Sequence, residues 1–131
     1  MFRSSVEKSF FKSASYPKKY ARIPYITVSN FPDLGLLTAL RFLEWVSENP
    51  EGVISLPTGK TPEYFIKWVQ LILLKWDNKA IEMLRDEKGL TAKKKPNLKG
   101  LRFVQIDEFY PINPNQHNSF FNYVMKLQIE V

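Results

Sequence analysis

The chain has 131 residues, 44% hydrophobic and 15% aromatic, enough for one globular domain with a modest core and too few for a second full domain. Without cysteine and with a single histidine, it can form neither disulfides nor thiolate metal sites, and it lacks a ligand set for zinc. A reducing, cytoplasmic setting fits, and neither cofactor nor metal is expected. The formal charge of +6 is concentrated at one end: six basic residues stand against Glu7 up to Arg22, and thirteen basic against twelve acidic residues follow.

Residues 1–22 therefore read as a basic arm on the surface, and its serines and scarcity of acids also match an organelle transit peptide. Residues 23–131 read as a nearly neutral α/β domain with no nucleic-acid face. No stretch is apolar and long enough for a secretory signal or a membrane span, so no membrane partner is expected.

Along the chain, Tyr25 to Val28 predicts a first strand, and Ser29 or Asn30 a helix cap ahead of Pro32 and Asp33. Leu36, Ala39, Leu40, Leu43 and Val46 follow helical spacing, with Phe42 and Trp45 off that stripe, until Glu48, Asn49, Pro50 and Gly52 end it. Val53 to Leu56 is a short apolar run, predicted as a buried strand. The next helix runs from Pro62 to about Trp76, with Tyr64, Phe65, Trp68, Val69, Ile72 and Leu73 on a broad core face. A short helix carrying Ile81 and Leu84 falls between Asp77 and Gly89, and Lys93-Lys94-Lys95-Pro96 is a solvated loop. Leu101 to Ile106 is the third strand. A proline- and asparagine-rich loop then leads to Asn118 or Ser119, either of which can cap a final helix with Phe120, Phe121, Val124, Met125 and Leu127. Strands alternating with helices in this way predict right-handed crossovers and a parallel sheet.

Two segments carry candidate chemistry. Between the second strand and its helix lies Ser55-Leu56-Pro57-Thr58-Gly59-Lys60-Thr61-Pro62. Pro62 suits the first helical position and Thr61 the N-cap, while Gly59 lets bare backbone approach a ligand at the positive end of the helix. The same residues equally describe a well-capped turn. A nucleotide P-loop is a poorer fit, because Ile54 stands where that motif needs glycine and its helix would not begin with Pro62. Asp107 and Glu108 follow the third strand. Beside Phe103, Phe109 and Tyr110, Asp107 could be a carboxylate of raised pKa acting as a base; the pair also reads as a solvated acidic turn or a partner for Lys60. In an open parallel sheet, both segments would lie beyond the carboxyl ends of strands, where ligands bind.

Leu56 to Pro62, then Ile106-Asp107-Glu108-Phe109, then Ser119-Phe120 resemble the N-terminal half of the glucosamine-6-phosphate deaminase (isomerase) family. The family pattern is Pro-Thr-Gly-x-Thr-Pro, Asp-Glu-Tyr and Ser-Tyr, and the resemblance covers roughly Tyr25 to Met125. Related 6-phosphogluconolactonases share the first motif but usually carry arginine after Asp-Glu, so Phe109 favours the deaminase side. The resemblance implies a Rossmann-like, three-layer parallel sheet acting on a phosphorylated amino sugar without a cofactor. By analogy Asp107 is the base that moves a proton between C2 and C1 of the opened sugar. Thr58, Gly59, Lys60 and Thr61 contact substrate and phosphate, and Glu108 supports the site.

Three departures from the family stand out. Lys60 replaces a small or neutral residue, the segment from Trp76 to Lys99 is longer than usual, and Val131 precedes the region where the family carries its ring-opening group. His117 does not match that group and reads as a surface residue. The resemblance therefore implies the incomplete half of an enzyme, inactive alone, with a homo-oligomer or the missing half as partner. The alternatives are a non-catalytic sugar-phosphate-binding or regulatory module and a 6-phosphogluconolactonase-like hydrolase.

Overall fold

The computed structural model describes residues 3–13, 22–56, 62–106, 108, 110–117, 119 and 122. Their elements, in chain order, are α1 (Ser5–Ser13), α2 (Phe31–Glu48), β1 (Val53–Ile54), α3 (Glu63–Leu74), α4 (Lys79–Glu87) and β2 (Arg102–Phe103).

Asn30 starts α2 as its pattern predicts: its side chain accepts the Asp33 N–H at 2.8 Å, and Pro32 stands in the first turn. The helix ends where Asn49 turns its backbone N–H onto the carbonyls of Trp45 and Val46. Leu36, Ala39, Leu40, Leu43 and Val46 are buried, and Phe42 joins them edge-on to Phe65, ring centres 5.6 Å apart. On α3, Phe65, Val69, Ile72 and Leu73 form the facing surface. The two helices meet closely at Gly35, where a Cβ would lie 2.5 Å from Cβ of Tyr64 and 2.7 Å from its carbonyl carbon. The indole N–H of Trp68 donates to the Pro32 carbonyl at 3.1 Å, tying α3 to the start of α2.

The helical stop after α4 follows from Gly89, which takes the left-handed conformation at φ 83°. Its N–H bonds to Asp86 O at 3.1 Å and that of Leu90 to Arg85 O at 2.8 Å, the paired bonds of a Schellman cap. Leu90 is thereby delivered to the core.

Residues 1–22 were expected to form a surface arm, but nine of them form α1, with Val6 and Phe10 buried in the core. Glu44, itself buried on α2, holds the start of this helix: it accepts the Ser4 hydroxyl and, at 2.9 Å, the Ser5 N–H. Arg41 bridges Glu7 at 3.1 Å and Glu44 at 3.3 Å. At the other side of α1, the Ser9 hydroxyl donates to the Glu87 carbonyl at 2.9 Å. The arm thus owes its place to polar partners on α2 and α4, which its own short apolar pattern does not announce.

β1 and β2 are parallel, with Val53 opposite Arg102 and Ile54 opposite Phe103, as the alternating order of strands and helices predicts. Ile54, Leu56 and Phe103 pack on the helical core, whereas Val53, Val104 and Ile106 are exposed on the opposite face. β1 was expected to be buried, and here it is covered on one side only among the described residues. Tyr25 to Val28 keeps the alternation of a strand, with Ile26 and Val28 against the core and Thr27 outward. It forms no ladder with the sheet, which has two strands among the described residues.

Candidate functional site

The parallel pairing brings the carboxyl ends of β1 and β2 side by side. The Val104 N–H donates to Ile54 O at 2.9 Å, and the Ser55 hydroxyl donates to Val104 O at 2.7 Å. The strands therefore stay together past their regular ladder as far as Ser55 and Val104, with residue 57 two positions and Asp107 three positions further along the chain. Thr58, Gly59, Lys60, Thr61 and Asp107 themselves lie outside the described residues.

Pro62, on the far side of that loop, is buried and stands at the N-cap rather than the first helical position, so α3 begins one residue later than its sequence predicts. With φ −80° and ψ 3°, its carbonyl accepts the Ile66 N–H at 3.0 Å. The proline side chain has no acceptor, and the cap makes no side-chain hydrogen bond.

Glu108 is the described member of the acidic pair. Its Oε2 accepts the Ser119 hydroxyl at 2.8 Å and lies 3.4 Å from the donating amide nitrogen of Gln105. Ser119 is 1% exposed, and its Oγ also accepts the Asn122 N–H at 3.3 Å, the bond of an N-cap. The loop between them braces itself: Asn113 accepts from Asn115 and Gln116, each at 3.0 Å, and Gln116 O accepts the Ser119 N–H at 3.0 Å. The Asp-Glu and Ser-Phe parts of the sequence pattern are thus joined by a direct hydrogen bond. Gln105 was not singled out from sequence, although an amide side chain two residues before Asp107, within the predicted third strand, is a usable signal.

The expected apolar wall around Asp107 is not formed by all its proposed members. Tyr110 is 98% exposed, and Phe103 packs toward the core; Phe109 lies outside the described residues. His117 is exposed, as expected for a surface residue. An open groove of about 650 Å³ reaches the loop through Leu56 and Pro62, but Tyr25, Ile26, Leu37 and Trp45 make it mainly apolar and unlike a sugar-phosphate pocket. Among the described residues no group of three or more acidic or histidine side chains could hold a metal, and no helix is long and apolar enough to cross a membrane.

Compared with known proteins, the chain matches no family model, no curated protein and no solved structure.

Proposed function

We propose that this chain carries the phosphate-binding loop and the C2 base of a sugar-phosphate isomerase or deaminase acting on glucosamine 6-phosphate. Backbone N–H groups from Thr58 to Thr61, at the start of α3, take the phosphate, with Lys60 adding charge. The Asp107 carboxylate removes the C2 proton of the ring-opened sugar and returns it to C1, giving an enolamine and then a ketose-side imine. Water adds to that imine, and its hydrolysis yields fructose 6-phosphate and ammonia. Opening the sugar ring requires a second acid–base group, which this reading assigns to another part of a longer protein.

The observation that supports the reading is the parallel neighbourhood of β1 and β2. Both motif segments follow carboxyl ends of paired strands, the edge at which open parallel sheets bind ligands. The bond from Ser119 to Glu108 adds the third part of the pattern to the same neighbourhood.

Amide NMR tests the reading on the chain as it stands. Addition of glucosamine 6-phosphate moves the signals of residues 58–61, and glucosamine moves them much less. Equal responses to the two sugars, or none to either, reject the phosphate role. In a longer active parent, Asp107→Asn abolishes ammonia release, because the amide keeps the shape and loses the basic lone pair; retained activity rejects Asp107 as the base.

A further inference from the structure

The near neutrality of residues 23–131 conceals a local excess. From Gly89 to Ile106 there are five cations, Lys93, Lys94, Lys95, Lys99 and Arg102, and no acidic residue; the remainder of 23–131 carries eight basic residues against twelve acidic. All five cations are exposed, and none forms an ion pair with a described residue.

The segment is anchored from below. Leu90, Pro96 and Leu101 are buried, and Ala92 and Leu98 pack against the core. Asn97 Oδ1 accepts the Lys99 N–H at 3.0 Å, and Leu98 O accepts that of Leu101 at 3.1 Å. Gly100 sits against the turn at Pro50, where a Cβ would lie 2.5 Å from the carbonyl oxygen. The apolar residues thus hold the loop down while its lysines stand outward, a fixed cationic ridge rather than a loose tail.

We propose that this ridge docks the protein peripherally on a bilayer surface rich in acidic phospholipid. Clusters of about four to eight Lys or Arg suffice for such attraction, and this one has five. A nucleic acid is the poorer fit. Between Gly89 and Arg102 there is no aromatic side chain on which a base could stack. Four of the five cations are lysines, point charges without the bidentate fork of arginine. The lack of a membrane-spanning helix concerns crossing and leaves such docking open.

Co-sedimentation with vesicles provides the test. At about 0.1 M salt the chain sediments with phosphatidylserine–phosphatidylcholine vesicles and not with phosphatidylcholine alone, and about 0.5 M salt releases it. Each ridge charge contributes about fivefold in affinity, so the triple variant Lys93→Gln, Lys94→Gln, Lys95→Gln binds about a hundredfold more weakly. Its thermal unfolding is unchanged, because these side chains are solvated. The variant Lys8→Gln, Lys12→Gln, altered on α1, retains binding. The proposal is overturned by failure to bind acidic vesicles, by undiminished binding of the triple variant, or by loss confined to the α1 variant. Tighter retention on duplex DNA than on acidic vesicles at equal salt also overturns it, assigning the ridge to nucleic acid.

Discussion

Ser119, buried eleven residues beyond Glu108, donates its hydroxyl to Glu108 Oε2 at 2.8 Å while the same oxygen caps the backbone at Asn122. One side chain thus ties Glu108 to Asn122. Ser119→Ala removes both bonds, and chemical denaturation should show a loss of about 1–2 kcal/mol. NMR should also show the Gln105 amide signals moving. A variant as stable as the parent would mean that the buried hydroxyl has no structural role.

If the proposed loop binds phosphate, Gly59→Val should weaken glucosamine 6-phosphate binding by at least about tenfold, because the side chain occupies space needed for backbone approach. Titration by amide NMR measures this. An unaltered dissociation constant would remove Gly59 from the contact.

The junction of α2 and α3 predicts a further loss. Gly35→Ala gains helix propensity of about 1 kcal/mol but drives a methyl into Cβ and backbone atoms of Tyr64 and Phe65 at 2.5–2.8 Å. Backbone cannot yield as a flexible side-chain end does, so overpacking prevails. The net destabilisation should be about 1–2 kcal/mol, lowering Tm by several degrees in calorimetry.

Glu44 tests whether α1 is integral to the fold. Glu44→Ala leaves the Ser4 hydroxyl and the Ser5 N–H without their acceptor and should cost about 2 kcal/mol. Hydrogen exchange should accelerate first in residues 5–12. Glu44→Gln, which retains one carbonyl acceptor, should fall between the parent and the alanine variant. Uniform acceleration throughout the chain would contradict a local anchoring role.

Much of the helical structure is legible from sequence. The spacing of Leu36, Ala39, Leu40, Leu43 and Val46, the cap at Asn30 and the stop at Gly89 concern neighbours along the chain, so the place of α2 and the end of α4 can be read locally, while packing of that stripe in the core stabilises the helix. The parallel order of β1 and β2 follows from the intervening helices. The loop Thr58 to Thr61 and Asp107 are proposed from residue pattern alone, and they lie outside the described residues.

Only the tertiary structure decided the rest. Val6 and Phe10 form too small an apolar stripe to declare α1 as core, and Glu44, forty residues from Ser4, supplies the missing anchor. Tyr25 to Val28 has the alternation of a strand but pairs with neither strand of the sheet among the described residues, since a strand exists only where another backbone presents matching groups. The exposure of Tyr110 and the bond between Ser119 and Glu108 are likewise set by the folded chain. Helical periodicity and capping are local energies that the sequence alone can express, whereas strand pairing and burial are set by partners that only the folded chain assembles.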